Sequence, residues 1–204
     1  MIRTMSVGWL FLILAMFGRA QQALSNGKDD GLRQELLKMV KEDQEVRKAL
    51  LKTSSPDPAL VRRIADIDRK NTARLKEIIE KLGWPGKSKV GDEGAHAAWL
   101  LVQHADRDRA FQKRCLSLME RALKAQEASP TDFAYLTDRV LVGENKKQVY
   151  GTQFRTVDGK LEPYPIEEEK NVDRRRKEVG LPSLAEYQKE IERIYKSKTN
   201  PDRR

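Results

Sequence analysis

The sequence predicts a mostly α protein: a single multi-helix domain with one small β-hairpin near 148–165. Three observations carry that reading. Apolar residues recur at threes and fours over long stretches, glycines and prolines fall at the ends of those stretches, and one later segment switches to alternation about an Asp-Gly pair.

From Gly31 to Thr53, Leu32, Leu36, Met39, Val40, Val46 and Leu50 form the apolar stripe of a first helix. Ser54-Ser55-Pro56-Asp57-Pro58 ends it and caps a second. The second carries Val61, Ile64, Leu75, Ile78 and Leu82 and stops at Gly83-Trp84-Pro85, where a glycine follows the last turn and a proline cannot continue it. Ala95–His104 and Asp106–Lys124 read as helical, with Asp106 at the cap position of the second segment. Ser129-Pro130-Thr131-Asp132 starts a helix that closes at Gly143. Gln148–Val157 and Lys160–Pro165 then pair about Asp158-Gly159. Val172–Val179 returns to helix, and Ser183 with Glu186 forms a capping box that opens a last one bearing Tyr187, Ile191 and Ile194.

The front of the chain reads as an address. Met1-Ile2-Arg3 is basic, Val7–Phe17 is almost purely apolar, and Gly18-Arg19-Ala20 offers small residues for a cut after Ala20. The run is short for a transmembrane helix, which needs about 20 apolar residues. Residues 1–20 are therefore expected to be a cleaved secretory signal, and a retained tilted anchor is the alternative. Residues 21–30 would be a loose leader, 31–196 the domain, and 197–204 a disordered basic tail. The mature protein is expected in an extracytoplasmic compartment, periplasmic or secreted, without a stable membrane span.

The chain has a net charge of +9, one cysteine and two histidines. One thiol forms no intrachain disulfide, and three Cys/His residues fall short of the roughly four ligands of a closed zinc site. No metal or other cofactor is expected, although a carboxylate-only cation site is left open by this arithmetic. The positive balance favours anionic neighbours such as envelope polymers. The dense runs Arg174-Arg175-Arg176-Lys177 and Lys196–Arg204 lack interleaved aromatics, so they read as a solvated helix face and a loose tail, and a nucleic-acid surface is poorly supported.

Polar residues that interrupt apolar stripes are the candidate site. The first helix runs Leu36, Val40, Asp43, Arg47, Leu50, and the second Ile64, Asp68, Asn71, Leu75. Asp43 and Asp68 thus fall on inward faces, and a buried carboxylate must be paired or line a wet cavity. A satisfied Asp43–Arg47 pair and a capping Asn71 explain the same spacing. Gln103-His104-Ala105-Asp106 lies at a helix junction, where a histidine can transfer protons near neutral pH. His96, eight residues upstream, is roughly 12 Å away along a helix, and Cys115 roughly 16 Å, so neither joins His104. Cys115 reads as core. Asp138 and Arg139 precede the hairpin, and Gln148, Tyr150, Thr152 and Phe154 alternate along its first strand. Gly151 would permit close approach by a ligand or a neighbouring element. Gly86-Lys87-Ser88 echoes a phosphate loop but lacks its first glycine and preceding strand.

Gly83-Trp84-Pro85, Gly91, Gln103-His104-Ala105-Asp106, Phe111-Gln112, Tyr135-Leu136, Asp138-Arg139-Val140, Gln148, Tyr150-Gly151-Thr152-Gln153, Pro165-Ile166 and Gly180-Leu181 occur in that order. Together they resemble a bacterial family, domain of unknown function 6624, over about Asp43 to Leu181. The resemblance implies motif positions and no activity, cofactor or catalytic residue.

Two function classes follow. In the first, Asp43, His104, Asp138, Arg139, Tyr150 and Gln153 converge on a polar pocket, with Gln103 and Asp68 beside it. His104 is then the acid or base, an aspartate orients it, and Arg139, Tyr150 and Gln153 hold a small-molecule ligand in a metal-independent hydrolase or transferase. In the second, the same residues form a buried network in a non-catalytic envelope-binding or structural helical module, where any binding, to an anionic polymer, is done by the basic surface.

Overall fold

The computed structural model describes residues 29–51, 57–158 and 160–199. The proposed signal segment and its cleavage point lie outside them. The structure is mostly α with one antiparallel hairpin, as expected. The chain divides into two compact units between Leu136 and Thr137, within one helix.

The first unit holds α1 (Asp30–Leu51), α2 (Pro58–Leu82), α3 (Lys87–Gln103), α4 (Arg109–Lys124) and the start of α5 (Pro130–Gly143). α1 packs on α2 and α3, α2 on α3, and α3 on α4. α1, α2, α4 and α5 each start where a short side chain can satisfy the first free amides, whereas α3 starts at Gly86 without such a cap. Asp29 accepts from Leu32 N, Asp57 from Ala59 N, Asp108 from Phe111 N and Ser129 from Asp132 N. The cap of α4 is thus Asp108 and not Asp106. The Asp106 carboxylate instead accepts from Gln112 Nε2 at 3.2 Å, tying the α3–α4 turn to the helix that follows it.

α3 is the inner helix, with residues 97–103 all buried, and a helix enclosed on every side is apolar all round. It is broken near its start by Gly91, whose φ of 74° is reserved in practice for glycine. The stripes of α1 and α2 supply Leu36, Val40, Val46, Ile64, Leu75, Ile78 and Ile79 to this core. Val61 and Leu82, assigned to the α2 stripe by spacing, are exposed. They sit in its first and last turns. The α3 start that echoes a phosphate loop is already occupied by a carboxylate. Glu127 Oε2 accepts from Ser88 N at 2.8 Å, and a Cβ on Gly86 would fall 2.4 Å from that same oxygen.

The second unit holds the end of α5, β1 (Phe154–Val157), β2 (Lys160–Pro163), a 3-10 turn (Glu169–Asn171), α6 (Val172–Glu178) and α7 (Leu184–Thr199). The hairpin pairs Phe154 with Pro163 and Val157 with Lys160. Asp158 turns it with a φ of 49°, the left-handed conformation that a tight two-residue turn demands. Phe154, Leu161, Ile166, Val172, Leu181, Tyr187 and Ile191 form the core, with the Phe154 and Tyr187 rings edge to face at 5.7 Å. The expected capping box is present: Glu186 accepts from Ser183 N, and Ser183 Oγ accepts from Glu186 N.

The hairpin is shorter than its alternation suggested. Residues 149–153 are not strand, and Gln148 makes only an isolated parallel bridge to Ile166. The basic run on α6 is also not simply a solvated face. Arg174 and Lys177 are exposed, but Arg176 is completely buried. It lies four residues after Val172 and three before Val179, on the apolar side of the helix. Among the described residues no helix is long and apolar enough to cross a membrane.

Candidate functional site

In the first unit, α1, α2 and the end of α3 bring four ionisable side chains together. Asp43 and Arg47 lie one turn apart on α1, Asp68 faces them from α2, and His104 closes α3. Asp43 is fully buried and its carboxylate is saturated. It lies 2.9 Å from His104 Nδ1, accepts from Arg47 Nε at 3.0 Å, and accepts from Gln44 Nε2 at 2.8 Å. Arg47 reaches past it to donate through Nη2 to Asp68 Oδ1. Burial opposes the charge on Asp43, but His104, Arg47 and Gln44 outweigh it and hold the carboxyl below its ordinary value of 3.8. For Asp68 burial prevails over Arg47 and His104, and its carboxyl is pushed up.

The tautomer of His104 follows from competition at one nitrogen. Nδ1 lies 3.1 Å from Arg47 Nε and 2.9 Å from an Asp43 oxygen, and it either accepts from the first or donates to the second. Arg47 Nε has one hydrogen, already directed at Asp43 Oδ1. A charged carboxylate is the stronger partner, so Nδ1 carries the hydrogen and Nε2 presents its lone pair. Nε2 makes no hydrogen bond among the described residues.

One ligand atom each from Asp43, Asp68 and His104 lies within 4.8 Å of the others, a spacing that a cation can bridge. Arg47 already sits on both carboxylates, so its guanidinium is the resident counter-ion and a divalent ion would have to displace it. The cluster nevertheless includes a histidine among its possible ligands, which counting Cys and His alone did not reveal.

Asp138 occupies a different environment in the second unit. It is fully buried, and it accepts from Val149 N at 2.7 Å, Tyr150 N at 3.0 Å, and both the amide and hydroxyl of Thr152 at 2.9 Å. Burial pushes its carboxyl up despite these donors. The loop it gathers is held from its carbonyls as well. Arg176 donates to Tyr150 O at 2.6 Å and Pro182 O at 2.6 Å with its guanidinium over the Tyr187 ring, and Arg175 donates to Val149 O at 2.8 Å. Gln148 accepts from Gln153 N and donates to Gln153 O and Tyr164 O, while Gln153 Nε2 donates to Thr152 Oγ1. The close approach at Gly151 comes from the protein itself: an added Cβ would fall 2.9 Å from both Ile166 and Leu184 side chains.

The expected site residues therefore fall into two constellations, Asp43, Asp68 and His104 in one unit and Asp138, Tyr150 and Gln153 in the other. Arg139 is buried in the second unit. Gln103 is turned to its own surroundings, its amide oxygen accepting from Trp99 Nε1 at 3.2 Å and Leu136 N at 3.0 Å. A second histidine–aspartate pair stands apart. Half-exposed His96 meets Asp132 through Nδ1 at 3.0 Å and lies against Trp99. Arg47 and Arg176 were not assigned to a site from sequence. The signal in each case was an arginine at an apolar helical spacing.

The first constellation defines the class: an α-helical protein with a buried histidine–aspartate pair neutralised by a built-in guanidinium. The chain belongs to the family of unknown function DUF6624, whose model matches residues 30–200. No curated protein and no solved structure matches it.

Proposed function

We propose that the Asp43–Arg47–Asp68–His104 cluster is the acid–base centre of an exported hydrolase or transferase. One observation carries the reading: His104 is held through Nδ1 by a buried, ionised Asp43, while Nε2 is left without a protein partner. An imidazole fixed in this way accepts a proton at Nε2, and Asp43 stabilises the imidazolium that forms. Arg47 keeps Asp43 ionised and fixes its orientation, so no metal is needed to poise the pair. Asp138 serves this protein differently, by shaping the 148–153 loop.

The test compares the wild-type chain with His104→Asn on panels of chromogenic esters, amides and glycosides. Turnover is expected to fall by about 10²-fold or more, with the melting temperature almost unchanged. Retained turnover, or loss of the fold, contradicts the reading. Export is supported by the basic, apolar and small-residue order of residues 1–20. N-terminal sequencing of the protein from the native envelope should begin near Gln21, and a retained Met1 in soluble protein contradicts it.

A further inference from the structure

Gly83-Trp84-Pro85 and Gly86-Lys87-Ser88 take no part in the acid–base centre, yet Trp84, Gly86 and Ser88 line a cleft of their own. Its volume is about 360 Å³, within the range of about 300–1,000 Å³ typical of small-molecule sites. Trp84 and Lys89 border it at the start of α3, Leu118, Arg121 and Ala122 from the last turns of α4, and Glu127 from the α4–α5 connection. Ser88 and Arg121 are exposed, so the cleft meets solvent. It is a site apart from His104, which closes the other end of α3 roughly 20 Å along the helix.

The walls of the cleft are set by the protein's own hydrogen bonds. Gly83 leaves α2 with a φ of 71°, a conformation suited to glycine, and Trp84 O then accepts from Gly86 N at 2.9 Å. Glu127 ties down the opposite side. Its carbonyl accepts from Lys87 N at 3.1 Å, its carboxylate accepts from Ser88 N at 2.8 Å, and its own amide donates to Ala122 O at 2.8 Å. The Lys87 and Ser88 amides are thus spent on protein, and what the cleft offers a ligand is side chains.

Those side chains are of two kinds. Trp84 supplies a flat aromatic surface, with Leu118 and Ala122 as aliphatic neighbours, and the indole Nε1 has no acceptor among the described residues. Lys89 and Arg121 supply cations whose side chains make no ion pair or hydrogen bond among the described residues. Arg33, Arg74 and Lys76, by contrast, each have a carboxylate partner. Only Glu127 opposes the two cations within the cleft, so one positive charge is left uncompensated. That excess suits a monoanion better than a phosphate dianion, and a carboxylate matches the donor fork of a guanidinium.

We infer that this cleft binds a small organic monoanion, a carboxylate carried on an apolar ring, with the ring against Trp84 and the carboxylate on Lys89 and Arg121. The aromatic wall selects the body of the ligand and the cations select its charge, so neither part alone satisfies the site.

The test is calorimetric titration of the full chain with naphthoate, naphthol and inorganic phosphate, with the indole N–H signals followed by ¹⁵N NMR. The signal lost in Trp84→Phe identifies Trp84 among the three tryptophans. Naphthoate is expected to bind saturably and to move the Trp84 signal, leaving that of buried Trp99 in place. Naphthol and phosphate should bind about tenfold more weakly or not at all. Lys89→Gln and Arg121→Gln should melt as the wild type does, and each should weaken naphthoate about tenfold, as losing a hydrogen bond to a charged group does. Absence of saturable binding overturns the inference, and so does binding that leaves the Trp84 signal unmoved. Equal binding of naphthol or phosphate overturns it as well, as does unchanged affinity in either charge variant.

Discussion

Asp43 and Asp138 are both completely buried, yet their carboxyls shift in opposite directions. The partners explain the difference. Asp43 lies beside a guanidinium and an imidazole, and these outweigh the cost of burial and keep it ionised. Asp138 is surrounded by backbone amides and a threonine hydroxyl, neutral dipoles that burial overrides. An acid whose partners can themselves carry a proton has what the proposed proton-transfer role requires. An acid whose partners are main-chain amides fixes a loop. Inward position on a helix does not separate the two roles, whereas the chemistry of the partners does.

Substitutions can break this comparison. The largest loss is expected at Asp138, where alanine strands the amides of Val149, Tyr150 and Thr152, at about 1–3 kcal/mol for each buried donor left unsatisfied. The total should be about 3–5 kcal/mol by chemical denaturation, with protection of the 148–153 amides lost in hydrogen exchange. A cost under about 1 kcal/mol would remove the stapling role.

Arg47→Met sharpens the account of the resident counter-ion. It should cost about 3–5 kcal/mol by leaving two acids facing each other. Mn²⁺ should then raise the melting temperature of the variant and not that of the wild type. Equal stabilisation of both would show that Arg47 does not occupy the cation position.

Asp43→Asn should cost about 1–3 kcal/mol near neutral pH, and its pH dependence has a definite sign. The folded value lies below the ordinary 3.8, so the contribution of ionised Asp43 is present above that pH and is lost as pH falls through the folded value. Asp138, shifted upward, behaves oppositely: its titration favours the fold below 3.8 and loses that contribution as pH rises through its folded value. Denaturation of the two asparagine variants across acidic pH should therefore diverge from wild type in opposite senses, and parallel curves would contradict the assignment.

The smallest effect is at Cys115, fully buried with its thiol pushed up to about 12 by burial. The native protein should not react with a thiol reagent at neutral pH. Rapid labelling without unfolding would place this residue at the surface.

Much of the first unit was legible because α1 and α2 are amphipathic over five turns or more, and a helical period assigns each side chain a face. Asp43 with Arg47, and Asp68 with Asn71, were found inward by that period alone. That His104 joins Asp43 and Asp68 needed the packing of three helices, which no spacing encodes. The second unit was less legible. Gln148, Tyr150 and Thr152 alternate as a strand would, but the amides of Tyr150 and Thr152 turn to a side chain on α5, a long-range partner that alternation does not register. Arg176 was hidden in a basic run, where composition suggested solvent and the positions of Val172 and Val179 indicated core. Asp106 and Asp108 are both suitable caps by residue type, and the length of the turn after α3 decided between them.

The proposed acid–base centre depends on which nitrogen of His104 carries its hydrogen, and ¹⁵N NMR of the imidazole with the ring neutral measures this directly. The expected result is a protonated Nδ1 and a bare Nε2, with Asp43→Asn erasing the preference. A protonated Nε2, with Nδ1 accepting from Arg47 Nε, would make His104 a structural acceptor and contradict the centre.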